Sequence, residues 1–355
     1  MVNIALTFDY ELFFGENFGS YDEILFNPTT QLMDLLDKYN TKATFFVDVL
    51  SVYMQEKYGN KDYCINFIEQ IQDMVLRGHD VQLHIHSNWL KSKFVDGKWN
   101  FDVNSYAIHS FGFDENEELS VQKIIKWGKT YLENVLKQVE PKYRCIAYRA
   151  GGYMIQPHQN LFSILKDNDI IIDSSIALRQ KAVGLLSYDY SNLGKQNSWW
   201  ISKKLPLERC VSNIEGTIYE VPVGYIKSSL IRRLLRPSFE KVLRLSERRG
   251  SYIGTNLNKE NDVNDSWLVV KLKRLFSYTA TYRLLSFDSV HYKLMISQIR
   301  KLYKKDKSIT VAAIGHPKLI DSVWLENFEG LLIELKKTDY CNTVSMMDIW
   351  QSIKI

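Results

Sequence analysis

The chain is poor in the residues that staple small domains together. Its four cysteines, Cys64, Cys145, Cys210 and Cys341, are scattered over 355 residues with no Cys-x-x-Cys pair. That spacing argues against a disulfide framework or a structural zinc knuckle and fits reduced thiols in a cytoplasm. No apolar run approaches the roughly 18 residues that a spanning helix needs. The opening residues Met1-Val2-Asn3-Ile4 lack the basic and apolar regions of an export signal, so a cytoplasmic location is expected. The formal net charge of +4 is too small to imply a nucleic-acid partner. Histidine is scarce, with seven in the chain, so two of them lying two residues apart carry information.

What is present is ordinary globular material, 45% hydrophobic and 24% charged, long enough for one large barrel or two domains. The most informative stretch runs from Gly78 to Trp89. After a turn at Gly78, Val81, Leu83 and Ile85 alternate with Gln82, His84 and His86, a strand pattern that puts both histidines on one face. Such a pair is either half of a divalent-metal site or two hydrogen-bonded core or surface imidazoles. The N-terminal strand Ile4 to Glu11 ends in Asp9 and Glu11, again two apart on one face. Two strands that each deliver a pair of apt groups at a C-terminal end match the way parallel α/β folds build their sites.

Along the chain, a helix at 29–39 opening on a Thr cap, a strand at 42–49, a helix at about 61–77 and the His strand form a β-α-β-α-β series, the pattern of a parallel sheet. An aromatic and polar insertion at 89–118, beginning with Trp89, has the place of a substrate lid or wall. A strong amphipathic helix at 120–139 follows, then the strand from Arg144 to Arg149, which ends in Ala150-Gly151-Gly152-Tyr153. Further strands are expected at 170–175 and 217–223. Residues 226–307 are rich in Arg and Lys, with basic amphipathic helices expected at about 228–248 and 267–276. These helices are either solvated or a patch for lipid head groups or a substrate phosphate. A buried strand from Ser308 ends in His316-Pro317, and a helix at 327–337 and a strand at 342–346 close the chain. The expected division is a β/α barrel of 1–225 and 308–355 with a basic, mainly helical insertion at 226–307.

Asp9-x-Glu11, Gly78-His79-Asp80 leading to the His pair, Tyr148-Arg149-Ala150-Gly151-Gly152-Tyr153, Asp173-Ser174-Ser175 and His316-Pro317 occur in that order. This ordered set resembles the polysaccharide deacetylase family, the NodB-homology fold of carbohydrate esterase family 4. The resemblance implies a distorted barrel of about seven strands and metal-dependent removal of an acyl group from an amino sugar. It implies that Asp9 is the general base, that Glu11 and His84 hold the metal, and that His316 is the general acid. The family's second metal histidine falls at Asn88 here, and His86 is expected to replace it. Tyr10 stands where the family has its metal carboxylate, which passes that role to Glu11. Arg149 would orient Asp9 through a charge-assisted pair. Asp173 would hold or tune His316. Gly152 or Tyr153 would offer a backbone N–H to the oxyanion, and His79 would be structural.

The function expected from this reading is hydrolysis of an N-acylated sugar, nucleotide- or lipid-linked, during assembly of a surface polysaccharide. One divalent ion is expected, with zinc the default for two imidazoles and a carboxylate. A peripheral membrane contact would run through 226–307. The competing readings are an inactive sugar-binding protein on the same barrel and a glycoside hydrolase using Asp9 and Glu11.

Overall fold

In the computed structural model, residues 1–14, 20–114, 116–227, 279–281, 289–306 and 308–353 are described. The chain opens with β1 (Val2–Tyr10), α1 (Asn27–Lys38), β2 (Thr44–Asp48), α2 (Val49–Lys57), α3 (Lys61–Leu76) and β3 (Asp80–Ile85). The insertion after β3 carries a hairpin, β4 (Lys93–Val95) and β5 (Lys98–Asn100). Next come α4 (Val121–Leu136), β6 (Ala147–Ala150), α5 (Gln159–Asp167) and β7 (Ile172–Asp173). A run of short strands follows: β8 (Lys181–Ala182), β9 (Tyr188–Asp189), β10 (Trp199–Ile201), β11 (Cys210–Val211), β12 (Ile218–Glu220), β13 (Tyr225–Lys227) and β14 (Thr279–Thr281). The chain ends with α6 (Ser289–Lys305), β15 (Ile309–Gly315), α7 (Ser322–Lys336), β16 (Cys341–Val344) and α8 (Met346–Ile353).

β1 carries the sheet. Its residues from Ile4 onward are buried on both faces, as a central parallel strand requires. It pairs in parallel with β15, β16 and β2. The ladder continues in parallel through β3, β6, β7 and β12, and then turns antiparallel at β10 and β11. The parallel α/β expectation therefore holds. The two sides of the sheet meet just after β12, where Ala312 N donates to Pro222 O (2.8 Å) and Gly224 N donates to Ala312 O (3.0 Å). Among the described residues, two backbone hydrogen bonds and a single bridge span this seam, rather than a full ladder. Inside lies a small apolar layer of Ala5, Phe46, Ala147, Ile172, Val223 and Ala312, stopped at the N-terminal end of the strands by Met346 and Ile349 of α8. The larger core lies between the outer face of the sheet and the helices.

Local chemistry sets the helix ends. Asn60, Ser120 and Asp321 cap α3, α4 and α7 by accepting from Tyr63 N, Lys123 N and Trp324 N, the usual N-cap contact. Gly78 takes φ +80 at the end of α3, a left-handed turn that glycine adopts without steric cost. The first helix departs from expectation. A five-residue π turn at Asp22–Phe26 runs straight into α1, and Thr29 is no cap, because its hydroxyl donates back to Leu25 O (2.6 Å). α2 is an addition to the expected elements. Its apolar residues surround the helix without a face, so they show no helical period.

The basic helices expected at 228–248 and 267–276 lie outside the described residues. β13 and β14 pair antiparallel, Tyr225 opposite Thr281, so the ends of the intervening stretch lie side by side. α6 belongs to the main body, because Met295 and Ile299 are fully buried and Tyr303 stacks on Tyr340 at 5.2 Å.

Asp80 ties the floor of the sheet together. Its carboxylate accepts from Thr44 Oγ1 (3.0 Å), Gln82 Nε2 (2.7 Å) and Met347 N (3.1 Å). Burial, the largest influence, pushes its carboxyl up to about 6. A carboxyl raised by folding adds stability below its unfolded value of about 4 and loses it as pH climbs through the folded value. Urea denaturation should therefore show stability falling between about pH 4 and pH 6, a slope absent from Asp80→Asn. Asp80→Ala, which leaves three buried donors without an acceptor, should cost about 3 kcal/mol.

Candidate active site

The groups singled out in the sequence come together at the C-terminal ends of the parallel strands. Alternation along β1 puts Ala5, Thr7, Asp9 and, just beyond the strand, Glu11 on its inner face. β3 delivers His84 and His86, β6 delivers Arg149, and β15 ends one residue before His316. Asp9, Glu11, His84 and His86 are all at most 6% exposed, and the His316 side chain keeps 26% of its surface open.

Glu11 is the hub. Its Oε2 lies 3.1 Å from His84 Nε2 and contacts His86 Nε2. Its Oε1 lies 2.8 Å from Lys318 Nζ and 3.4 Å from His316 Nε2. Burial works against its charge, but Lys318, His86 and His84 together hold the carboxyl well below the usual range. His84 Nδ1 donates to Arg149 O (2.8 Å), which leaves Nε2 turned toward Glu11. Burial opposes protonation of this imidazole too, yet Asp9, Glu11 and Asp48 carry it up to about 9.

Asp9 is divided between two partners. Its Oδ1 accepts from Arg149 at 2.5 Å, while Oδ2 faces His316 Nε2 (3.7 Å) and His84 Nε2 (4.0 Å). Arg149 is fully buried and makes four further contacts: its Nη2 donates to Thr7 Oγ1 and Ser174 Oγ, its Nε donates to Ser174 O, and its guanidinium lies 4.1 Å over the Phe46 ring. That rigid seat leaves the Asp9 pair one geometry. Burial lowers the His316 imidazole, with Asp9 and Glu11 pulling the other way.

Two expected roles are corrected. Asp173 is not a partner of His316. Its Oδ1 accepts from Ser175 Oγ (2.7 Å), and it is strand-paired with Glu220. Burial drives the Glu220 carboxyl well above its usual range, with Asp173 adding to the effect. Trp89 is 0% exposed and cannot line a substrate surface. Its indole N–H donates to Asp48 Oδ2 (2.7 Å), and its ring packs on Trp99, Phe101 and Phe14. The insertion thus contributes a buried aromatic buttress whose Phe14 contact continues onto His86 at 4.6 Å.

The remaining residues are placed as follows. Gly152 and Tyr153 sit just after Arg149 in a short turn, both left-handed at φ +59 and +63, a geometry that is costly for tyrosine. Tyr10 points to the outer face, its hydroxyl donating to Gln70 Oε1 (2.9 Å). Asn88 is fully buried, with neither amide atom paired among the described residues. His79 accepts from Ala43 N (3.4 Å) and packs on Phe45, away from the site. Sequence reasoning missed Asp48, Lys318 and Glu220. Lys318 follows His316-Pro317 directly. Asp48 ends β2 beside His84. Asp48 could have been found by asking which polar residues end parallel strands, and Lys318 by asking which lie in the turns just after them.

The donor set suits a divalent ion. One ligand atom each from Glu11, His84 and His86 lies within 4.8 Å of the others. His86 Nδ1 is buried with no partner among the described residues. Gly151 makes room for that ring, since a Cβ there would sit 2.9 Å from His86 Nδ1 and 2.6 Å from Ile85 O. Two imidazoles and a carboxylate, with His84 oriented through its other nitrogen, are what a catalytic metal site uses.

Residues 3–161 match the sequence profile of the polysaccharide deacetylase family. No curated protein matches the chain. Among solved structures, the chain is similar to a probable polysaccharide deacetylase from Pseudomonas aeruginosa, with 12% identity, TM-score 0.48, and 98% of this chain and 89% of that one covered. It is also similar to the 4-alpha-glucanotransferase of Thermococcus litoralis, with 10% identity, TM-score 0.51, and 99% of this chain and 40% of that one covered. That second likeness is one of fold.

Proposed function

Because residues 3–161 belong to the polysaccharide deacetylase family, we propose that the protein is a metal-dependent hydrolase that removes an acetyl or similar acyl group from an N-acylated sugar. The observation that supports this most is the joint placement of Glu11, His84 and His86 beside Asp9 and His316. Glu11, His84 and His86 would hold a divalent ion, with zinc the first choice, which would supply Lewis acidity toward the amide carbonyl and lower the pKa of bound water.

The chain's own groups account for the rest. Asp9 Oδ2, left toward the site while Arg149 holds Oδ1, takes the proton of the attacking water. His316, 3.7 Å from that oxygen and part-exposed at the mouth, takes that proton on from Asp9 and delivers it to the departing nitrogen as the C–N bond breaks, which leaves Asp9 ionised again. The backbone N–H of Gly152 or Tyr153 donates to the developing oxyanion. Asp9 and Glu11 both face one imidazole, His84, at 4.0 and 3.1 Å. Two carboxylates on one side of the site do not suit a pair that must flank a glycosidic bond from opposite sides.

The substrate in this reading is a nucleotide- or lipid-linked amino sugar destined for a surface polysaccharide, met in the cytoplasm. The same reading gives the basic stretch at 226–307 a contact with a membrane face or a substrate phosphate, carried by its part outside α6, since α6 packs on the main body. Among the described residues no helix is long and apolar enough to cross a membrane.

Metal analysis of protein purified without chelator tests the reading. One divalent ion per chain is expected, lost in the His84→Ala, His86→Ala double variant along with acetate release from acetylated sugar nucleotides. Acetate release that survives complete chelation would sink it.

A further inference from the structure

We propose that Lys318 is a positioning residue that makes Glu11 a one-oxygen metal ligand, by holding the second carboxylate oxygen away from the two imidazoles. This rests on the metal-dependent reading above.

Lys318 lies in the single turn Pro317–Leu319 that follows β15. Its ammonium reaches back across the mouth of the site to Glu11 Oε1 (2.8 Å) and Leu12 O (2.9 Å). Its side chain is only 10% exposed and runs across the faces of Phe13 (5.1 Å) and Phe14 (5.7 Å). The other oxygen of the same carboxylate, Oε2, meets His84 Nε2 at 3.1 Å and contacts His86 Nε2. The two oxygens of one buried side chain are thus assigned to different partners.

The bond to Leu12 O is what makes this more than an ion pair. It anchors the ammonium to backbone one residue beyond Glu11, so the cation cannot follow the carboxylate if Glu11 rotates. In the rotamer observed, Glu11 keeps the Lys318 bond through Oε1 and turns Oε2 to the imidazoles. Without that anchor, Glu11 is free to swing or to present both oxygens together. Outer groups that orient a metal ligand in this way typically contribute about 10–100-fold to metal affinity. The rival account is that Lys318 merely offsets charge in a site holding Asp9, Glu11 and Asp48. That account predicts the opposite sign, because deleting a cation beside the ligands would tighten metal binding.

The test is calorimetric titration of zinc, with chelator competition, into the full-length metal-free wild type, Lys318→Met and Lys318→Arg. Affinity should fall about 10–100-fold in Lys318→Met, and most of it should return in Lys318→Arg, which keeps the donors. Near-ultraviolet circular dichroism checks that the variants are folded. Should Lys318→Met fail that check, Lys318→Gln, too short to span both acceptors, takes its place. Binding as tight as the wild type, or tighter, in the Met or Gln variant overturns the proposal and leaves the deacetylase reading standing. A wild type that binds no zinc or other divalent ion removes the metal-dependent reading, and the role of Lys318 with it.

Discussion

Asp9→Asn should reduce acyl hydrolysis by about 10²–10⁴-fold, the range for loss of a positioned proton acceptor. The substitution is close to isosteric. An amide oxygen can still accept from Arg149, so Arg149 keeps its Thr7 and Ser174 contacts and the seat survives. What is lost is the acceptor at Oδ2, the oxygen turned toward His316 and His84. Metal content should be unchanged, because Asp9 is not one of the three converging ligands. Single-turnover acetate release together with metal analysis reads both. Turnover within tenfold of wild type would move the base elsewhere, and loss of metal would make Asp9 a ligand instead.

Arg149→Met should be the most destabilising single change at the site, by about 3–5 kcal/mol, the cost of breaking a buried ion pair from one side. The guanidinium is fully buried and serves Asp9, Thr7 and Ser174, the last through both its hydroxyl and its carbonyl. Met fills much of the volume over Phe46 but leaves the Asp9 carboxylate buried without its cation and strands the Ser174 carbonyl. Urea denaturation gives the number. A loss under about 1 kcal/mol would mean that Asp9 finds another partner or takes up a proton at little cost. Lys in place of Arg should recover only part, since one ammonium cannot reproduce the planar fork that contacts three residues at once.

Much of the site was legible because strand alternation is a strict local rule. His84 and His86 had to share a face, and so did Asp9 and Glu11. Arg149 and His316 were legible as polar residues closing apolar strands. Asp173 was misassigned for the same reason that it was noticed. It ends a strand, but its side chain is taken by the hydroxyl and backbone N–H of Ser175, and it is strand-paired with Glu220, a residue on a strand that the sequence does not mark as its neighbour. Trp89 was misread because an aromatic residue opening a loop looks available. Its indole is in fact committed to Asp48, a residue 41 positions earlier. α2 escaped notice because a helix buried on all sides carries no amphipathic signal.

By itself, the sequence determined the parallel α/β framework, the inward-facing residues of each strand, and the kind of chemistry that two imidazoles and two carboxylates at strand ends can perform. These follow from periodicity and residue type, which are properties of a few consecutive residues. Only the tertiary structure decided how the groups divide their bonds: Asp9 between Arg149 and the site, Glu11 between Lys318 and the imidazoles, Asp173 with Ser175 rather than His316. Those choices depend on which strands lie side by side and on how a seam of two hydrogen bonds at 222–224 brings β12 up to β15. No stretch of sequence encodes a distance between residues 300 positions apart.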